Sequence, residues 1–186
     1  MELISSKDFV SSVKLNGTTT ECIFFSHRDY VELCRTYSTV FLMDCTFKTN
    51  KFKMPLLNSV GITCTNQTFN APFAFLNDER EQNYTWVLTE FAKIVRPVIC
   101  TDRELALMNS ISLVFPDSKN LICVWHINKN VLAHCKKYFN EERWIEFMAN
   151  WNAILDSFSL ESLAESLQKF ESVFSQIRSP FQGIFR

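Results

Sequence analysis

The stretch Val40-Phe41-Leu42-Met43-Asp44-Cys45-Thr46-Phe47-Lys48-Thr49-Asn50 runs four apolar residues straight into a carboxylate and then turns polar. An apolar run of this length with a β-branched start reads as a strand buried on both faces. Asp44 then sits where buried strand gives way to polar chain. A carboxylate held there is costly to ionise unless something positive, usually a metal ion, faces it.

Upstream, residues 1–20 carry Ser, Thr and Asn16-Gly17 with weak alternation, which reads as a loose lead-in or a hairpin. Cys22 to Phe25 suits a short strand. Ser26-His27-Arg28-Asp29 opens a helix whose apolar side is Tyr30, Val31, Leu33, Cys34 and Tyr37, with Ser26 as N-cap. Downstream, Pro55 to Thr65 reads as a second strand and Thr68 to Leu76 as a third, joined by the polar pair Asn66-Gln67. Tyr84, Val87, Leu88, Phe91, Ile94 and Val95 fall at helical spacing, giving a helix over residues 80–95 that Arg96-Pro97 stops. Val98 to Thr101 is a short buried strand ending at Asp102. A second amphipathic helix runs from Leu105 to Phe115, and Leu121 to Trp125 forms a fifth strand. From His126 the chain is helical, with breaks near Asn140 and Ser157–Ser159. Trp144, Phe147, Met148 and Trp151 form one apolar stripe; Leu160, Leu163, Leu167, Phe170 and Phe174 form another.

The order is βββαβαβ followed by helices. An antiparallel meander continued by βα units gives an α/β fold with a mixed sheet, helices on both faces and right-handed crossovers, the ribonuclease H-like plan. The expected organisation is a lead-in and helix over 1–37, the ribonuclease H-like core over 38–138, and a helical segment over 139–186 that starts an insertion. In this plan strands one and four are neighbours, with backbones about 4.8 Å apart.

Composition narrows the partners. The 186 residues are 47% hydrophobic and 21% charged, with 18 Phe, so the core should be rich in aromatic contacts. The formal net charge of −1 excludes a domain that holds nucleic acid by bulk positive charge, and any such contact must be local, transient or supplied by further segments. Seven cysteines, an odd number lying mostly in apolar runs, fit a reducing compartment and not a disulfide framework. Met1 to Asp8 has neither a basic n-region nor an apolar h-region, and no apolar run approaches the roughly 20 residues of a membrane helix. A soluble, intracellular protein is expected, neither secreted nor membrane-bound.

With strands one and four side by side, Asp44 and Asp102 both stand at carboxyl ends of buried strands and can reach one point. Carboxylates that close repel each other unless a cation screens them. Oxygen-only ligands with open positions suit Mg²⁺ or Mn²⁺ and not zinc, and two such ions can clamp the attacking and leaving oxygens of phosphodiester chemistry. The competing reading is local: Asp102 precedes a helix and could cap it.

Phe24 to about Phe139 resembles the transposase domain of Mutator-like elements, a domain also found in domesticated plant transcription regulators of the far-red-response type. The matching stretches are Met43 to Asn50 with Pro55-Leu56, and Phe75-Leu76-Asn77-Asp78-Glu79 with Tyr84 and Trp86. They continue in Thr101 to Asn109, Val114-Phe115-Pro116, and Cys123-Val124-Trp125-His126-Ile127-Asn128-Lys129-Asn130. The resemblance implies that Asp44 and Asp102 are the first two acids of a DDE-type triad. Such a triad uses Mg²⁺ or Mn²⁺ to cut DNA at transposon ends and transfer strands in the nucleus. It also implies a third acid, a Glu after a helical insertion that follows the fifth strand. Glu141, Glu142, Glu146, Glu161, Glu165 and Glu171 all fall in the helical stripes instead. The chain is therefore expected to end inside the insertion and to be inactive alone, with a non-catalytic DNA- or protein-interaction module as the alternative.

Cys123 and His126 have the spacing of half a zinc site. Completing it with His134 would need ligands eight residues and about 12 Å apart along one helix, so zinc is not expected. By resemblance the pair matches a Cys/His motif of these transposases; a hydrogen-bonding or DNA-proximal role at the mouth of the site is expected for His126. Lys48, Lys51 and Lys53 follow the first strand, and Lys129, Lys136 and Lys137 follow His126. They are either a solvated face or phosphate contacts, which carry affinity without sequence information. Leaving the C-terminal apolar stripes uncovered would promote self-association.

Overall fold

In the computed structural model, which describes residues 7–174, the Val40–Thr46 strand (β3) lies inside a mixed sheet. Before it come β1 (Phe9–Asn16), β2 (Thr19–His27) and helix α1 (Arg28–Thr36). The lead-in is thus a long hairpin. Its turn holds Gly17 at φ 60, a left-handed conformation that glycine adopts without steric cost. The N-cap of α1 is His27, whose ring nitrogen accepts from the Asp29 amide, one residue later than the Ser26 that the sequence suggests.

After β3 follow β4 (Leu56–Ile62), β5 (Thr68–Asn70), β6 (Phe73–Leu76), α2 (Glu81–Ala92), β7 (Val98–Thr101), α3 (Leu105–Val114) and β8 (Asn120–Ile122). The sheet order is β1-β2-β6-β4-β3-β7-β8, with β5 on β4. The expected third strand is two. Pro72 has no N–H to give a ladder, so the chain breaks there, and β6 then pairs with both β4 and β2. β3 pairs antiparallel with β4 and parallel with β7, so the strands leading to Asp44 and Asp102 are neighbours.

One sheet face, formed by Cys22, Phe24, Phe41, Met43, Leu57, Ala74, Leu76 and Ile99, is buried beneath the helices. Cys34 of α1, Tyr84, Leu88 and Phe91 of α2, and Leu107 and Ile111 of α3 complete that core. Ser110, fully buried, ties α3 to α2 by donating to the Glu81 carbonyl at 2.9 Å. The opposite face carries Ile23, Phe25, Leu42, Val60, Phe73 and Phe75 and is half-buried. Both Asp44 and Asp102 belong to that second face.

The chain divides into two compact units, the first ending at Cys123 and the second beginning at Val124. The second holds α4 (Val124–Cys135), a 3-10 turn (Lys136–Tyr138), α5 (Glu141–Leu155) and α6 (Leu160–Phe174). Its core gathers Val131, Cys135, Trp144, Phe147, Trp151, Phe170 and Phe174, so the first C-terminal stripe packs with α4 and with Phe170 and Phe174 of the second, while Leu160 and Leu167 stay exposed. Trp151 Nε1 donates to Asn128 Oδ1 at 2.8 Å, tying α5 to α4. β8 is shorter than expected and α4 starts earlier. Leu121 and Ile122 are 50% and 40% exposed on an edge strand, and Val124-Trp125 joins the helix instead. No helix among the described residues is long and apolar enough to cross a membrane.

Candidate functional site

Strand register brings the two acids together. Parallel pairing sets Leu42 against Cys100 and Met43 against Thr101, so Asp44 and Asp102 each follow the last paired residue, Asp44 within β3 and Asp102 just past the end of β7. Asp44 is half-buried on the last turn-ward part of β3, and Asp102 is half-buried just past the end of β7. Asp102 also has the local role that its place before a helix suggests: its Oδ1 accepts from the Glu104 amide at 3.2 Å. The cap of α3 itself is Glu104, whose Oε1 accepts from the Ala106 amide at 3.2 Å. Holding the turn thus orients the Asp102 carboxyl without excluding a second role for it.

Cys123 extends the same row. Its amide donates to the Thr101 carbonyl at 2.7 Å, continuing the pairing of Thr101 with Ile122 and setting Cys123 beside Asp102. Its thiol hydrogen-bonds with that of Cys100, both cysteines being free, and the Cys100 pKa is raised first by burial and further by the Cys123 contact. Across β3 on the other side stands Asn58, directly opposite Asp44. Its Oδ1 is buried and receives no hydrogen bond.

Beneath Asp44, on the helix-covered face, Tyr84 Oη donates to Glu79 Oε1 at 3.1 Å and bonds with the Cys45 thiol. Burial, above all, pushes the Cys45 thiol up to about 12 and the Tyr84 phenol upward as well. These groups are therefore neutral structural partners that pin the end of β3 to the start of α2. Sequence reading took Tyr84 as an apolar helix residue and as part of a resemblance, and Glu79 within that resemblance; the fold shows what they touch.

The loop from β3 to β4 presents the lysines. Asn50 staples it: Nδ2 donates to the Met54 carbonyl at 2.7 Å, and Oδ1 accepts from the amides of Phe52 and Met54 at 3.1 and 3.2 Å. Lys48 and Lys53 sit at φ 61 and 58, a left-handed conformation uncommon outside glycine. Held this way, the loop exposes Lys48, Lys51 and Lys53 together with Phe47 (57% exposed) and Phe52 (72%). Lys51 Nζ stands 5.1 Å above the Phe52 ring. The two phenylalanines are what the sequence reading missed; their apolar character hid them among the core residues.

His126 and Lys129 lie in the second unit, on α4. The His126 ring packs edge-on against Trp125 with centroids 4.7 Å apart, and Lys129 Nζ stands 4.8 Å above the Trp125 ring. Trp125 is 61% exposed, so α4 offers an aromatic and basic surface of its own. His134 shares that helix and its Nδ1 pairs with the Asn130 carbonyl at 2.9 Å.

Among the described residues no three His, Cys, Asp or Glu side chains gather closely enough to hold a metal ion. No third carboxylate therefore joins Asp44 and Asp102 there. The oxygen donors in the row are two carboxylates and a buried carboxamide oxygen, with the Cys123 thiol at its edge. The three oxygen donors fit a hard divalent cation such as Mg²⁺ or Mn²⁺.

Comparison with known proteins shows what the chain is similar to. The PKS-NRPS hybrid synthetase cheA of Chaetomium globosum is 34% identical over 59% of this chain, but the match covers only 2% of that protein. In Arabidopsis thaliana, Protein FAR1-RELATED SEQUENCE 6 is 25% identical over 76% of the chain and 23% of its own length. Protein FAR-RED IMPAIRED RESPONSE 1 is 24% identical over 80% of the chain and 21% of its length. The chain thus spans under a quarter of these relatives. The profile of the MULE transposase domain matches residues 40–130, which hold β3, Asp44, Asp102, Cys123, His126 and Lys129, and so this part of the chain is a MULE transposase domain.

Proposed function

We infer that the first unit is a ribonuclease H-like metal centre for DNA phosphodiester chemistry, carried by Asp44 and Asp102. The observation behind it is the parallel register that puts both acids at one position on adjacent strands. Mg²⁺ or Mn²⁺ would be held by these carboxylates and, when bound, would polarise a phosphate and activate the attacking oxygen. The chain's own residues do the rest. Tyr84 and Glu79 fix the strand end that carries Asp44, and the Asn50-stapled loop holds Lys48 and Lys51 out for phosphate contact. Phe52 beside Lys51 adds a face on which a base can stack. On α4, His126, Lys129 and Trp125 supply a second DNA-proximal surface, and Cys123 holds the edge of the acid row. The intact protein would act at transposon ends in the nucleus.

A second reading has its own observation. No third carboxylate joins the pair among the described residues, and the net charge is −1, as suits a DNA- or protein-interaction module that keeps the fold without the reaction. Its support among the relatives is the similarity to FAR1-related proteins.

Anisotropy of a labelled DNA hairpin distinguishes them. A metal centre predicts tighter binding in Mn²⁺ than in EDTA, with Asp44→Asn removing the increment. Equal binding in Mn²⁺ and EDTA, unchanged by Asp44→Asn, would reject the metal centre in favour of the module.

A further inference from the structure

The second face of β4 is an apolar stripe, Leu56, Val60 and Ile62, interrupted by Asn58. On β3 the same face reads Val40, Leu42, Asp44; on β7 it reads Val98 and Cys100, with Asp102 at the next such position just past the strand's end. The polar interruptions are not scattered. Asn58 pairs with Asp44, and the register from Met43 to Thr101 carries on to Asp44 and Asp102. Three oxygen-bearing side chains therefore stand in one row across three adjacent strands, with apolar neighbours two residues behind them on each.

Directly opposed residues of an antiparallel pair have Cβ atoms about 4.5–5.5 Å apart on one face. Asn58 Oδ1 is buried and takes no hydrogen bond. A buried carbonyl oxygen without a donor is rare and destabilising, because it has left water for nothing in exchange. A carboxamide oxygen accepts from donors or coordinates hard cations, and the groups in line with this one are carboxylates, which donate nothing when ionised.

We propose that Asn58 is the third oxygen ligand of a divalent-cation site in which Asp44 and Asp102 supply the charge. The proposal rests on the reading that those acids hold metal. It also removes the need for a third acid to bind the ion: two carboxylates and a neutral carbonyl balance a doubly charged cation.

Mn²⁺ titration of the full chain, read by electron paramagnetic resonance of the free ion, tests this without any activity. Wild type should bind, and Asp44→Asn should lose most binding. Asn58→Ala should weaken affinity about tenfold, the lower end of what losing a group that supports a metal costs. Asn58→Asp should restore affinity to wild type or beyond, because a charged oxygen replaces the neutral one. Asn120→Ala is the control. It also has a buried, unpaired amide atom, but it pairs in register with Ile99 on the helix-covered face, and its loss should leave Mn²⁺ binding unchanged. Wild-type affinity in Asn58→Ala, with binding lost in Asp44→Asn, would overturn the role of Asn58 and leave the acids standing. Failure of Asn58→Asp to bind better than Asn58→Ala, with both still folded by circular dichroism, would overturn it too. Unchanged binding in Asp44→Asn would instead remove the metal reading itself.

Discussion

Cys34 has none of its surface exposed, and burial pushes its thiol up to about 12; burial likewise takes Cys22 to about 11 and Cys45 to about 12. The reactive form of a thiol is the thiolate, so these positions should be inert in the folded chain. Cys64 is exposed. A thiol reagent at pH 8 should label Cys64 rapidly and Cys22 and Cys34 only on unfolding; native Cys34 labelled as fast as Cys64 would contradict the burial. The same shifts set an alkaline limit. In the unfolded chain thiols ionise near about 8.5. Above that pH the unfolded state holds fewer protons than the folded one, so the thiols' contribution to stability, complete below about 8.5, falls as pH rises toward 12. Tyr84 acts in the same sense. The urea midpoint should therefore be lower at pH 10 than at pH 7. At this scale Asp44 and Asp102 were legible, because each ends an apolar run with a carboxylate. Asn58 was not. Within Leu56–Ile62 it reads as an outward polar residue of an alternating strand, and only register shows what it faces.

The elements show why some boundaries were readable and others were not. β3, α2 and α3 follow from clear periodicity, and Arg96-Pro97 marks a stop in sequence. The Leu121–Trp125 run is too short for periodicity to separate strand from helix, and the structure divides it between β8 and α4. β4 and β5 hold a close approach that composition hides. Gly61 pairs with Phe69, and a Cβ at Gly61 would meet Phe69 Cζ at 2.2 Å. Gly61→Val should cost roughly 1–3 kcal/mol in urea unfolding, the usual cost of overpacking, and Phe69→Leu should recover part of it. The β3–β4 loop has a different logic, a stapled backbone carrying exposed aromatics. Phe52→Ala should leave the melting temperature unchanged, since the ring is 72% exposed. If the loop meets DNA as proposed, the same change should weaken single-strand binding by about 1–3 kcal/mol, the worth of one stacked base. Equal affinity in wild type and Phe52→Ala would leave the lysines as the loop's whole contribution.

For the molecule as a whole, the sequence showed that the C-terminal stretch is helical with two apolar stripes, but not which surface each stripe meets. Pairing between distant helices is not written in local periodicity. Trp144, Phe147 and Trp151 of α5 bury against Phe170 and Phe174 of α6, giving the second unit a core separate from that of the sheet. Phe147→Ala should cost about 3–5 kcal/mol, as expected for deleting a buried aromatic ring, and should lower the near-ultraviolet signal of Trp144 stacked on it. The near-neutral charge of the chain, against the local lysines of the β3–β4 loop, predicts a shallow salt dependence of any DNA binding. The central claim is that Asp44 and Asp102, 58 residues apart in sequence yet in one register row, serve one ion. A double-mutant cycle of Mn²⁺ affinity across Asp44→Asn and Asp102→Asn measures this directly. The account predicts strong non-additivity, each single change removing nearly all the binding that the double change removes. Independent, additive losses, or no loss in either variant, would contradict it.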